Sequence, residues 1–193
     1  IGIELGFFNN DLTLSLDYFV KKNVDLLAQI DLNLSSGQIF EINSSREKPY
    51  VNTASVKNTG WEFMMNYRKQ LTKDFHIDAT FNIATLKNKV LSLGENVQPI
   101  TSGAMSSYFN DAPSITMPGE AIGSFYGYKI DGFDAEGNFI FADMDKNGVV
   151  NANDKVILGS PIPDFTYGLN INMEYKDFDL TLFFQGVQGN DIF

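Results

Sequence analysis

Three stretches of this chain alternate apolar and polar residues with a period of two, and each follows a tight turn. The first returning strand starts at Asp11-Leu12 and keeps Leu12, Leu14, Leu16, Tyr18 and Val20 on one face, with Thr13, Ser15, Asp17 and Lys21 on the other. The second starts at Asp74-Phe75 and sets Phe75, Ile77, Ala79, Phe81 and Ile83 against His76, Asp78, Thr80 and Asn82. The third starts at Asp177-Phe178 and sets Phe178, Leu180, Leu182 and Phe184 against Asp179, Thr181 and Gln185. Side chains leave a strand alternately to either side, so this pattern writes one apolar face and one wet face.

The outgoing strands share the rhythm: Ile1, Ile3, Leu5 and Phe7; Trp61, Phe63, Met65 and Tyr67; Phe165, Tyr167, Leu169, Ile171, Met173 and Tyr175. They lead to turns at Asn9-Asn10, at 70–73 and at Lys176-Asp177, and Asn and Asp suit tight turns because they tolerate left-handed backbone. The spacing predicts six strands in three hairpins, at about 1–8, 12–23, 58–69, 74–90, 164–175 and 178–188.

The connections are lopsided. Turns inside the hairpins are short, while the links between them run over 24–57 and 91–163. Pro49, Pro99, Pro113, Pro118, Pro161 and Pro163 all fall in those links or at their edges. Proline removes a ladder donor and is excluded from paired strands. Short turns at one end and long loops at the other are the build of an outer-membrane barrel. The fold expected is therefore all-β: an antiparallel transmembrane barrel segment over 1–193, with a long loop excursion at 91–163 that contains short strands. Alternation by itself also suits a soluble sandwich, here a calcium-dependent carbohydrate-binding module.

Composition narrows the chemistry. The chain has 193 residues, no cysteine and a net charge of −10, so disulfides, thiolate catalysis and cysteine zinc sites are excluded. It opens mid-strand with no basic segment ahead of an apolar run, so no signal peptide is read and the chain is expected to be an excerpt of a longer protein. Between Leu93 and Asp164 stand ten acids and three bases, about −7 of the total. An acidic loop region argues against nucleic acid, whose phosphates require a basic surface.

One motif is chemically specific. Residues 143–154 read D-M-D-K-N-G-V-V-N-A-N-D. In a twelve-position calcium loop, Asp143, Asp145 and Asn147 take positions one, three and five, and Gly148 takes the sharp turn at six. Val149 offers its carbonyl at seven, Asn151 acts through water at nine, Asp154 closes the loop at twelve, and Val150 would anchor it. Position twelve is Asp, not the bidentate Glu of EF-hands, and no helix precedes Asp143; this variant resembles the calcium loop of dockerin modules. The competing reading is a turn held together by its own side-chain to backbone bonds.

Other candidates carry less. His76 is the single histidine and lies on a wet face, so histidine triads and multi-histidine metal sites are excluded. No carboxylate pair lies in apolar surroundings suited to acid–base work, and a non-enzyme is expected. Phe125, Tyr126, Tyr128 and Phe133 are candidates for stacking on a sugar ring, with core packing as the alternative role.

Several stretches together resemble one family. Val51 to Glu62 (V-N-T-A-S-V-K-N-T-G-W-E) is similar to the N-x-G-S-V-x-N-x-G-x-E entry into a barrel strand of SusC/RagA-type TonB-dependent outer-membrane transporters, with Ala54 where glycine is usual. Gly123-Ser124-Phe125-Tyr126-Gly127-Tyr128 with Asp131-Gly132, the calcium-like loop, Gly159 to Gly168, and Phe183 to Asp191 extend the resemblance over nearly the whole chain. It implies part of the C-terminal half of a 22-stranded barrel in the outer membrane of Bacteroidetes-type bacteria. It also implies import of glycans or peptides, a SusD-like lipoprotein lid, energy from TonB, and a wall that contacts outer-membrane lipid.

Overall fold

In the computed structural model, residues 1–29, 50–95, 97–103 and 112–192 are described. Their contacts divide them into two compact units. The first is Ile1–Lys21, Asn58–Lys87 and Ile162–Asn190; the second draws on Lys22–Lys57, Asn88–Pro161 and Asp191–Phe193. No helix among the described residues is long and apolar enough to cross a membrane.

The chain is all-β, and its three hairpins form one sheet. Strands β1 (Gly2–Phe7), β2 (Leu12–Gln29), β3 (Tyr50–Thr72) and β4 (Phe75–Thr85) are followed by β5 (Lys87–Ser92). Short strands β6 (Ile100–Ser102), β7 (Ser114–Thr116), β8 (Ser124–Tyr128), β9 (Ile130–Phe133), β10 (Phe139–Phe141) and β11 (Lys155–Gly159) come next, and β12 (Phe165–Tyr175) and β13 (Phe178–Gln188) close the chain. The order across the sheet is β1-β2-β3-β4-β12-β13, with β5 also paired to β3.

Register shows that the two sequence faces are the two faces of the sheet. Ile3 pairs with Leu16 and Leu5 with Leu14. Met65, Phe81, Leu169 and Phe184 stand in one cross-strand row, and Tyr67, Ala79, Ile171 and Leu182 in the next. The intervening row is Asn66, Thr80, Asn170 and Phe183, and the one after it Arg68, Asp78, Asn172 and Thr181. A one-residue slip at any pairing would have put apolar beside polar. The Tyr18 and Trp61 rings, 4.7 Å apart, carry the apolar face across from β2 to β3.

The turns follow their chemistry. Phe8, Asn9 and Asn10 all have positive φ in the first, and Lys176 at φ 54 turns the third. In the second, the Gln70 amide donates to the Thr72 carbonyl at 2.7 Å, beside a register shift between Gln70 and Thr72.

Boundaries depart from the sequence expectation in two places. β2 and β3 run beyond it, to Gln29 and from Tyr50, so the link between them narrows to 30–49, which lies outside the described residues. The polar run Lys21-Lys22-Asn23 interrupts the alternation and hid the extension of β2, in which Asp25 has a φ of 55. The strand expected at 74–90 is two strands, broken at Leu86, whose N–H donates to the Asp164 carbonyl at 3.2 Å.

The second unit has its own small core. Ala28, Ala54, Val56, Val90 and Leu93 are buried together, with Leu26, Val97 and Ile100 packed on them. Val90 is pinned on both sides of its peptide: its N–H donates to Glu120 at 2.8 Å and its carbonyl accepts from Gly119 at 2.9 Å. A four-stranded sheet of order β11-β8-β7-β6 and the β9–β10 hairpin complete the unit.

Candidate functional site

The 143–154 loop sits between β10 and β11 and is organised by its own carboxylates. Asp143 accepts the N–H groups of Asn147 at 3.2 Å and Gly148 at 2.7 Å. Asp145 accepts the backbone N–H of Asn147 at 3.1 Å and its side-chain amide at 2.9 Å. Lys146 and Gly148 have φ of 58° and 86°, the left-handed turn that glycine makes at no steric cost.

Asp154 is the hub. It is fully buried, and one oxygen accepts Met144 N–H at 2.8 Å and Asp145 N–H at 3.3 Å while the other accepts Asn151 N–H at 2.7 Å. Asn151 caps the short 3-10 turn Ala152–Asp154, its side chain accepting from Asn153 N–H. The Asn151 N–H foremost, with those of Asp145 and Met144, holds the Asp154 carboxyl below the usual carboxylate range, against the opposing effect of burial.

One carboxylate oxygen from each of Asp143, Asp145 and Asp154 lies within 4.8 Å of the other two. Asn147 is tied to Asp145, its side-chain oxygen accepts Val149 N–H at 2.8 Å, and the Val149 carbonyl accepts the Asn151 amide at 3.0 Å. All six residues of the sequence motif are thus drawn into one hydrogen-bonded loop. Val150, expected to anchor it, is 42% exposed; the anchor is Asp154, since a buried carboxylate with three backbone donors fixes more of the loop than one aliphatic side chain.

The candidate stacking residues do not make one platform. On β8, Tyr126 and Tyr128 leave one face and Phe125 the other. The Tyr128 ring packs 5.6 Å from Phe141, with the Lys155 ammonium 5.2 Å from its centroid. Phe133 packs instead with Phe139 and Phe141 along the β9–β10 hairpin, with ring separations of 5.3 and 6.4 Å.

On the sheet, nothing among the described residues covers the apolar face. Ile115 and the five core residues of the second unit are the buried hydrophobic side chains among the described residues, and none of them lies in the first unit. Opposite it, the polar face is laced across strands by Asn66 to Thr80 at 2.8 Å, Arg68 to Asp78 at 2.6 Å and Thr181 to Asn172 at 2.9 Å. Aromatic rings mark both ends of the apolar face. Phe75, Tyr175 and Phe178 share the row beside the short turns; at the other end stand Tyr18 with Trp61, and Phe165 with Tyr167 at 6.2 Å.

No family model matches the chain. It is 35% identical over 208 residues to TonB-dependent receptor P3 of Formosa agariphila, a match that takes in all of this chain and 20% of the relative. It is 29% identical over 206 residues to the TonB-dependent receptor SusC of Bacteroides thetaiotaomicron, across all of this chain and 19% of that protein. The solved RagAB peptide importer in its open-open state overlays 98% of the chain with a TM-score of 0.76 at 21% identity, using 20% of the importer chain. The chain therefore spans about a fifth of the length of the curated relatives it matches. Its fold is that of a TonB-dependent receptor barrel segment, a seven-stranded sheet left open, fewer than the eight strands of the smallest membrane barrels.

Proposed function

We propose that the chain is a segment of a SusC/RagA-type TonB-dependent receptor and forms part of the wall of an outer-membrane nutrient importer. The observation that carries this reading is the height of the apolar face. On β12, Phe165 and Tyr175 are aromatic, and Tyr167, Leu169, Ile171 and Met173 continue the same face between them. Ten residues of strand cover about 33 Å, and a tilt of about 40° reduces that to about 25 Å, the height of the apolar band of a membrane barrel between its aromatic girdles. A soluble sandwich would bury this face under a second sheet, and nothing among the described residues covers it.

The polar face then borders the wet path, where Thr, Asn and Asp side chains offer donors and acceptors to a passing oligosaccharide or peptide. No bond-breaking step is assigned. A SusD-like lipoprotein and TonB are the partners proposed for the whole protein, and the outer membrane its location. The reading is tested by measuring the stability of the protein folded into lipid vesicles with arginine placed at Leu169 and, separately, at Thr181. A clear loss at Leu169 with little change at Thr181 is expected; equal losses would overturn it.

The 143–154 loop is proposed to hold calcium. Its donors are hard oxygens, three carboxylates already converge, and each carboxylate keeps lone pairs beyond those it gives to backbone N–H groups. Magnesium fits less well, because it retains its waters and takes fewer protein ligands. Calorimetry should show calcium heats for the wild type that vanish in Asp145→Ala; identical flat traces would dismiss the site.

A further inference from the structure

Asparagine followed by glycine occurs once in the chain, at Asn147-Gly148 within the 143–154 loop. Such a pair can react with itself. The glycine backbone nitrogen gives up its proton and attacks Cγ of the asparagine side chain, a succinimide ring closes, and ammonia leaves. Water then opens the ring at either carbonyl, leaving aspartate or isoaspartate. Glycine favours the step because a residue without Cβ lets its backbone come close to a neighbouring group.

The folded loop engages each group that this reaction uses. The Gly148 N–H donates to Asp143 Oδ2 at 2.7 Å. The Asn147 carboxamide is held at both ends, its Nδ2 donating to Asp145 Oδ2 at 2.9 Å and its Oδ1 accepting the Val149 N–H at 2.8 Å. The Asn147 backbone N–H is shared between Asp143 at 3.2 Å and Asp145 at 3.1 Å, which fixes the residue on its other side. Asp143 does not serve as the base, since a carboxylate is far too weak to take a backbone amide proton. Its negative charge instead opposes the amide anion that the attack requires.

We propose that Asn147-Gly148 is a site of spontaneous deamidation that the loop carboxylates hold shut. A hydrogen bond to a carboxylate that must break before the attack slows it by about tenfold or more. Once the reaction has run, the loop does not return to its first state. Aspartate at position 147 sets a like charge against Asp145 where an amide had donated, and like charges in one site disfavour each other. Isoaspartate adds a main-chain carbon inside the spacing from Asp143 to Asp154. Either product undoes the contacts that delayed the reaction, so opening of the loop becomes irreversible.

The test follows the protein in lipid nanodiscs during incubation in mildly alkaline buffer with a metal chelator. Peptide mass spectrometry reads deamidation at Asn147, and enzymatic methylation reads isoaspartate. The same protein unfolded in denaturant sets the unrestrained rate. Slow reaction in the folded wild type, faster by about tenfold or more in Asp143→Ala, is the expected result. Asp143→Asn, which keeps the shape and one acceptor oxygen, should also react faster than the wild type but less so than Asp143→Ala. Asp134→Ala, which removes a carboxylate from the neighbouring β9–β10 turn, should leave Asn147 at the wild-type rate. Wild-type or slower reaction in both Asp143 variants overturns the proposal, as does equal acceleration by Asp134→Ala. A folded wild type that reacts as fast as the unfolded chain overturns it too. The chelator removes any bound ion, so this proposal and the calcium reading fail separately.

Discussion

The sheet unit and the excursion unit solve the same problem in opposite ways. Both are antiparallel β-structure from one chain. The second unit buries Ala54, Val56, Val90 and Leu93 in a core of its own and binds its 143–154 loop with Asp143, Asp145 and Asp154. The sheet unit buries no hydrophobic side chain among the described residues, yet carries the longer and more regular strands. Apolar area stabilises a fold only when it is removed from water, at roughly 25 cal/mol per Å². The open sheet leaves that gain uncollected in water, and in the proposed reading a bilayer supplies it. The contrast teaches that strand regularity and core formation are separable, and that an uncovered apolar face states which solvent a sheet was made for.

That contrast can be broken or sharpened by substitution. The largest effect is expected at mid-height of the apolar face, where Ile171→Arg should destabilise the membrane-inserted protein by about 2–4 kcal/mol. Asn172→Arg, one residue on and facing the other side, should cost far less; denaturant unfolding from vesicles measures both. In the excursion, Leu93→Ala removes a side chain that is 3% exposed and should cost about 2–3 kcal/mol of local stability, the low end for such truncations because the core is small. Hydrogen exchange at Val90 should report it, with the β12 amides unchanged. The smallest effect is a pH response in the β9–β10 turn. The Asn138 side-chain amide, followed by its backbone N–H, holds the Asp134 carboxyl below the usual range. A depressed value means that these bonds are intact above the ordinary carboxylate range of about 3.9. They are lost as pH falls through the lower folded-state value. Exchange at the Asn138 amide should therefore stay slow at pH 5 and quicken only well below pH 4, and Asp134→Asn should flatten that response.

Much of the sheet was legible in the sequence because its signal is local and repeated. Period-two alternation from Leu12 to Val20 and from Phe165 to Tyr175 needs no partner to be read, and the register then pairs those faces as written. The signal stops short where a polar run interrupts the alternation, as at Lys21 to Asn23, and where a strand breaks without a proline, as at Leu86. The loop motif was legible because calcium-type spacing is a fixed code of oxygens. The burial of Asp154 was not, since it depends on which N–H groups the folded loop brings to it. Phe183 was passed over because a second phenylalanine beside Phe184 reads as more of the same apolar strand. Adjacent residues of a strand point to opposite sides, and the register sets Phe184 in the row of Leu169 and Phe183 in the row of Asn170.

The central claim is that the face bearing Phe81 and Leu182 meets lipid while the face bearing Thr80 and Thr181 meets water. Spin labels at these four positions, one at a time, in the protein reconstituted into bilayers would test it by accessibility to oxygen and to a water-soluble nickel complex. The account predicts oxygen-dominated relaxation at 81 and 182 and nickel-dominated relaxation at 80 and 181. Labels at 81 and 182 shielded from both reagents, or the pattern reversed, would contradict it.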